Sequence, residues 1–217
     1  MNTSILVNSE SENVTSFQSA IINGGFDTGS FTGWSTSGMS FVDKSELENI
    51  PSKGIYSALL LTGAAEDGEL NVFSDSVIES FLSLPNGTLD ALIGKDTIEG
   101  SAIQQTFAAK AGDRLSFDWN FFTNESISED FNDFAFVTIN GVAFKLSDTF
   151  SSLFSSSSND FDTETGLNTF SYTVAEPGNL TLGFGVLDVG DTMIGSGLLI
   201  DNLKLESSIS DSAITIM

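Results

Sequence analysis

The 217-residue chain contains no cysteine and no histidine. Without thiols it has no disulfide, no thiolate nucleophile and no zinc–sulfur centre. Without imidazole it has no Ser-His-Asp triad, no imidazole general base and no ordinary transition-metal site. Any metal it holds must accept oxygen ligands, which leaves Ca²⁺ or Mg²⁺. Any catalysis must run on carboxylates, as in glycoside hydrolysis. Positive charge is scarce as well: 7 Lys and Arg stand against 30 Asp and Glu, a formal net charge of −23. Such a chain repels phosphate backbones, which argues against nucleic acid as a partner, and it favours cation capture. Its apolar runs are too short to cross a bilayer, so no membrane span is expected. The ends, MNTSILVNSESENVTS and ESSISDSAITIM, lack the charge-then-apolar layout of a secretory leader. Three readings stay open: a leader removed before this numbering, leaderless export, or retention inside the cell.

The hydrophobic residues that are present, 40% of the chain with 19 Phe among them, supply a sizeable core. Residues 1–16 are rich in Ser, Asn and Glu and read as a flexible tail, as does 208–217, leaving one domain over 17–207. FQSAII, SGMSFVD and YSALLLT are short strand candidates. Residues 76–94 differ, because Val77, Ile78, Phe81 and Leu82 recur at helical spacing behind a Ser76-x-x-Glu79 capping box. Pro85-Asn86-Gly87 breaks this run, and TLDALIG reads as a second short turn ending at Gly94. In LSFDWNFF, Phe117, Trp119 and Phe121 take one face while Ser116, Asp118 and Asn120 take the other, the period of a half-buried strand. FAFVTI is apolar on both faces and runs into Asn140-Gly141, a hairpin signal. TFSYTV and LTLGFGV alternate similarly. Short strands, frequent turns and no alternating long helices define an all-β antiparallel sandwich or barrel with a short helical insert near 76–94.

The last strand candidate, SGLLIDNLKLE, holds an anomaly. Asp201 shares parity with Leu199, Leu203 and Leu205, so a regular strand would point its carboxylate into the core. There it must be protonated, paired, met by backbone N–H donors or bound to a cation. The alternative is a local bulge that swings it to solvent. At the other end of the chain, NGGFDTGSFTGWS sets Asp27 among Phe26, Phe31 and Trp34. Phe26 and Trp34 read as core anchors, and Asp27 and Asp201 would meet where first and last strands meet.

Asn23-Gly24-x-Phe26-Asp27 with Gly33-Trp34, together with Ile200-Asp201-Asn202-Leu203, resembles the galactose-binding-like jelly roll of carbohydrate-binding modules. That resemblance implies a structural calcium held by Asp27 and Asp201 with nearby backbone carbonyls. The family often has Glu in the first position and two acids in the last, so Asp27 and Asp201-Asn202 imply weaker binding. A longer series, EGSAIQQTFAAKAGDRLSFDWNFFTNE, FNDFAFVTING, TGLNTFSYTV and LGFGVLDVGDTMIGSGLLIDNLKLE, is similar to a β-sandwich module of secreted bacterial proteins. Such modules are frequent in cyanobacteria and in proteins with a PEP-CTERM sorting tail. This second resemblance implies an extracellular or cell-surface location, although the chain shows no Pro-Glu-Pro motif at its end.

Within that series Asn124, Glu125, Asp130, Asn132, Asp133, Asp188 and Asp191 stand at strand ends. Oxygen side chains on neighbouring loops suit Ca²⁺, so a second site led by Glu125, Asp133 and Asp191 is expected, with plain solvated acidic loops as the alternative. DFDTETG imitates an EF-hand loop, but its glycine is late and its twelfth position is Ser171, which rules that motif out. Trp34, Tyr56, Trp119 and Tyr172 are the rings able to stack on sugars. Trp119 and Trp34 read as core, so no aromatic platform is evident and the ligand-binding residues are not identified.

The leading expectation is a non-catalytic, calcium-stabilised extracellular β-sandwich that binds polysaccharide or matrix components. A structural matrix or adhesion protein without a small ligand is the alternative. A carboxylate-based glycosidase or lyase, with Glu99, Glu125 and Asp191 as the residues to try, comes third.

Overall fold

The period-two segments become the strands of two facing sheets. A computed structural model describes residues 21–44, 54–63, 72–157 and 160–207. The expected tails, 1–16 and 208–217, and the first four residues of FQSAII lie outside these. In chain order the elements are β1 (Ser35–Ser37), β2 (Met39–Lys44), β3 (Tyr56–Leu61), β4 (Phe73–Ser74), α1 (Asp75–Phe81) and α2 (Thr88–Ile93). They continue with β5 (Thr97–Ala109), β6 (Arg114–Thr123), β7 (Phe134–Ile139), β8 (Val142–Asp148), β9 (Ser155–Ser156) and β10 (Thr163–Glu164). The last are β11 (Asn168–Thr173), β12 (Gly178–Val189) and β13 (Ser196–Glu206).

One sheet of six strands runs β1-β5-β12-β7-β8, with β4 also on β5. The other, of seven strands, runs β2-β3-β13-β6-β10-β9, with β11 also on β6. Every pairing is antiparallel. The chain changes sheet after β1, β3, β5, β6, β8, β11 and β12, the path of a jelly roll. This is the antiparallel sandwich the alternation implies. Asn140 and Gly141 both take positive φ, 49° and 76°, as a two-residue hairpin requires.

Between the sheets, Phe117, Trp119 and Phe121 of β6 meet Leu182, Phe184 and Val186 of β12. The rings of Phe117 and Phe184 pack edge to face at 4.7 Å. A second, smaller cluster explains why FAFVTI is apolar on both faces. Phe134 and Phe136 point away from the interlayer and are buried with Leu187 and Val189 under Ile78, Leu82, Leu84 and Leu89 of the helical insert. The glycines of LTLGFGV serve this outer contact, since a Cβ on Gly183 would strike Leu82 and one on Gly185 the Phe136 ring.

The capping box does not form. Ser76 lies inside α1 and the N-cap position is Ser74, without a side-chain cap bond. Glu79 instead reaches across to α2 and accepts from the amides of Gly87 and Leu89, both at 2.8 Å. A carboxylate among the orphan donors of a helix start satisfies them and matches the helix dipole. Glu79 therefore ties the two helices together. Among the described residues no helix is long and apolar enough to cross a membrane.

Candidate functional site

The opening loop is fixed by its own turns and by its rings. Asn23 and Phe26 both adopt left-handed φ, 54° and 52°. The Asn23 side chain spans the loop, donating to Ser30 O at 2.7 Å and accepting from Thr28 N at 3.2 Å. Phe26 is fully buried and packs on Trp34 (5.4 Å) and Phe31 (5.9 Å), while Trp34 continues to Phe184 at 6.0 Å. Phe26 and Trp34 thus anchor the loop in the interlayer. Gln105 fastens the segment ahead of it, exchanging two bonds with the Ile22 backbone at 2.8 and 2.9 Å. Leu203 N donates to Gly24 O at 2.9 Å, so the loop lies against the second half of β13.

This docking brings Asp27 and Asp201 together. Asp27 Oδ2 lies 3.2 Å, and Asp201 Oδ1 3.7 Å, from the point where a Cβ on Gly25 would sit. Glycine there leaves open the space that a side chain would fill. Asp27 also receives the Ile55 amide at 3.4 Å. A pair of carboxylates beside loop carbonyls is a donor set that suits Ca²⁺.

Asp201 does not point into the core, contrary to the parity of its strand. Leu198 and Ile200 face the interlayer and are fully buried, and Asp201 pairs with Asp118 on the opposite, outer face. A bulge between Asp201 and Lys204, with Asn202 at φ 56°, then switches the inward parity, so Leu203 and Leu205 face the core. Asp201 is nonetheless 2% exposed, because the opening loop lies against it rather than because it enters the core. Asn202, turned by the bulge, donates to Asp118 Oδ2 at 2.7 Å, and Asp118 Oδ1 accepts from Thr169 at 2.6 Å.

At the end of the sandwich towards the β6–β7 and β12–β13 loops, the interlayer turns polar. The inward positions just beyond the apolar ones are Thr62 after β3, Thr123 on β6, Asp133 before β7, Asp188 on β12 and Ser196 on β13. All are 1% exposed or less. Asp133 is well provided for: Oδ1 accepts from Val189 N at 3.0 Å and Oδ2 from Ser196 Oγ at 2.6 Å. Ser196 Oγ also lies 2.8 Å from Thr123 Oγ1. Asp188 is different. Thr62 and Asp133 stand close enough to act on its carboxyl as hydrogen-bonding neighbours, but neither of its buried oxygens makes a hydrogen bond of ordinary geometry.

The electrostatics follow from that crowding. Burial, and then the neighbouring Asp133 charge, push the Asp188 carboxyl far above the usual carboxylate range. Burial also raises Asp133, against the opposing effect of its hydrogen bonds from Ser196 and Val189. At the mouth of the cluster Glu125 is pushed up to about 7, by burial first and then by Asp133 and Asp191. The structure places Glu125, Asp133 and Asp191 within electrostatic reach of one another, with Asp188 beside Asp133. Among the described residues no three acidic side chains gather tightly enough to chelate a metal by themselves. Asn132 turns away to bind Thr149, and Asn124 accepts from Asp162 N. The sequence signal for Asp188 was available, since it continues the inward parity of Leu182, Phe184 and Val186.

Trp34 and Trp119 are buried, and Tyr56 and Tyr172 pack on the interlayer core, so none of the expected rings forms a platform. A cleft of about 380 Å³ opens instead on the outer face of the seven-stranded sheet. Its walls include Met39, Leu59, Leu61 and Phe161, with Asn124 and Asp160 as polar members. Phe161 stacks on Phe122 at 5.6 Å and 24°, which holds the ring in place. Sequence reading missed it because only the strand register brings 161 beside 61 and 197.

No family model and no curated protein sequence matches the chain. Among solved structures, TmCBM61 in complex with β-1,4-galactotriose is similar at 16% identity and a TM-score of 0.47, over 88% of this chain and 99% of that one. A carbohydrate-binding module of family 28, described as specific for non-crystalline cellulose, is similar at 12% identity and a TM-score of 0.40, over 87% and 96%. The enzymatically active domain of bacteriophage CBA120 tailspike protein 4 is similar at 10% and 0.42, over 87% of this chain and 21% of that one. At these values the likeness extends to no individual residue.

Proposed function

We propose that the chain is a non-catalytic β-sandwich that binds neutral polysaccharide in the cleft of the seven-stranded sheet, with Ca²⁺ between Asp27 and Asp201 clasping the opening loop to β13. The observation that carries the reading is the cleft: an apolar wall of Met39, Leu59, Leu61 and a held Phe161 ring, beside Asn124 and Asp160. Sugar C–H faces pack on such walls, while hydroxyls bond to amide and carboxylate groups. The net charge of −23 disfavours anionic chains. The solved modules named above bind β-1,4-galactotriose or non-crystalline cellulose, and those are the ligands to try first. An extracellular or cell-surface setting of secreted bacterial type belongs to the same proposal and rests on the sequence resemblance.

Affinity electrophoresis through galactan, soluble cellulose derivatives and xylan, with Ca²⁺ present, tests it. Retardation by at least one of them is expected. Phe161→Ala should weaken binding about tenfold, the equivalent of roughly 1.4 kcal/mol, without lowering the melting temperature by more than a few degrees. A blank panel overturns the reading and favours a matrix or adhesion role without a small ligand. One observation favours a carboxylate-based hydrolase as a second reading: Glu125, raised to about 7 beside Asp191, has the acidity of a glycosidase acid. Release of reducing sugar that disappears in Glu125→Gln would establish it.

A further inference from the structure

The polar end of the interlayer calls for an occupant. Strand alternation alone would continue the core there with apolar residues. Instead five neighbouring inward positions carry Thr62, Thr123, Asp133, Asp188 and Ser196, all buried. Glu99 and Glu125 face the same cluster from β5 and from the β6–β7 loop, and Asp191 faces it from the β12–β13 loop. Among the described residues no ion pair answers them, for the one there, Lys145–Asp148, is on β8. Asp188 is the decisive group. It is 1% exposed, it faces a second buried carboxyl and the Thr62 hydroxyl, and neither of its oxygens makes a hydrogen bond of ordinary geometry. Leaving a carboxylate so placed costs several kcal/mol unless a proton or a cation meets it.

We infer that this end of the sandwich is a buried divalent-cation site, distinct from the Asp27–Asp201 clasp and organised by Asp188 and Asp133. The donor set decides the class of ion. Only oxygen is present, in carboxylates, in the hydroxyls of Thr62, Thr123 and Ser196 and in backbone carbonyls, so soft and imidazole-seeking metals are excluded. Because no three carboxylates converge among the described residues, two carboxylates form the anionic part and neutral oxygens complete the shell. That mixture suits Ca²⁺, which tolerates irregular shells, better than Mg²⁺, which demands a near-octahedral one. Glu125 at the mouth offers a further carboxyl oxygen beside Asp133 and Asp191. Ser196 links the site to the cleft, since it lines the cleft while its hydroxyl donates to Asp133. On the glycan-binding reading, an ion here would stiffen one wall of the cleft.

The test uses the full chain carrying Asp27→Asn, so that the clasp is disabled, stripped with EDTA and returned to chelator-free buffer at pH 7. Calcium titration by calorimetry, and thermal melts with and without CaCl₂ or MgCl₂, are the readouts. Binding of one Ca²⁺ with a rise in melting temperature is expected, with Mg²⁺ weaker. Adding Asp188→Asn should abolish both while the metal-free melt stays at or above that of the parent, because an amide relieves the buried charge. Asp133→Asn provides the same test should Asp188→Asn not fold. If neither ion binds the Asp27→Asn protein, or if Asp188→Asn and Asp133→Asn both bind Ca²⁺ as the parent does, the inference is overturned. In the first case the two carboxyls share a proton instead.

Discussion

Gly25→Ala isolates the calcium clasp without touching either carboxylate. Gly25 lies outside the left-handed region, so alanine fits its backbone and should add about 0.4–1 kcal/mol by restricting the unfolded chain. The new methyl would sit 3.2 Å from Asp27 Oδ2 and 3.7 Å from Asp201 Oδ1, crowding both donors at once. A Ca²⁺ ion needs oxygens at roughly 2.3–2.6 Å and about six to eight of them, so the methyl displaces part of its shell. At a hundredfold excess over Kd one bound ion stabilises by about 2.7 kcal/mol. For a chain of this length that raises the melting temperature by roughly 5–11 °C. Circular-dichroism melts in EDTA and in CaCl₂ read the effect. In EDTA, Gly25→Ala should melt at or slightly above wild type. In CaCl₂ it should gain only what the Asp188 site supplies, and the double variant with Asp188→Asn should gain nothing. Gly54→Ala is a companion, because a Cβ there collides with Asp27 Oδ1. A Gly25→Ala protein with the full wild-type calcium gain, lost only on Asp188→Asn, would refute the clasp.

Three further outcomes follow from named contacts. Glu79→Ala leaves the amides of Gly87 and Leu89 without their acceptor, at a cost of about 3 kcal/mol, seen as a lower urea midpoint at unchanged slope. A loss under 0.5 kcal/mol would mean that the carboxylate does not join the helices. Phe26→Ala empties a fully buried site against Trp34 and Phe31 and should cost about 3–5 kcal/mol. A near-neutral result in denaturant would make that ring a ligand contact rather than an anchor. Finally, Glu125, Asp133 and Asp188 all have raised folded-state values. Their contribution to stability is complete below the ordinary carboxylate pKa of about 4 and is lost as pH rises through the folded values. The metal-free protein should therefore melt highest in mild acid and fall steadily from about pH 5 to pH 8. A flat or rising profile in EDTA contradicts the crowded carboxyls.

Strand alternation was legible wherever one face is wet or where the burial period is unbroken, as in β6, β11 and β12. The hairpin at Asn140-Gly141 and the αL cap at Gly94 were legible because their chemistry is local. Non-local choices were not. The bulge at Asn202 reverses the parity of β13, so Asp201 lies on the outer face although its strand neighbours suggest the core. Glu79 has the spacing of a local cap, yet α2 offers its buried amides closer, and tertiary contact wins. Glu125, Asp133, Asp188 and Asp191 were named together from their place at strand ends, whereas the inward direction of Asp188 required following the parity of β12 beyond Val186. The cleft had no signature in the chain, since Phe161, Leu59 and Met39 meet only through the pairing of β2, β3, β13 and β6.

Binding of neutral polysaccharide on the outer face of the seven-stranded sheet is read out by amide and methyl chemical-shift mapping. The titrant is a soluble β-1,4-linked oligosaccharide, with Ca²⁺ present. The account predicts shifts concentrated at Leu59, Leu61, Asn124, Phe161 and Ser196 around the cleft. Shifts confined to the groove beside α1, at Phe73, Val77 and Phe81, or none with any neutral oligosaccharide, would contradict it.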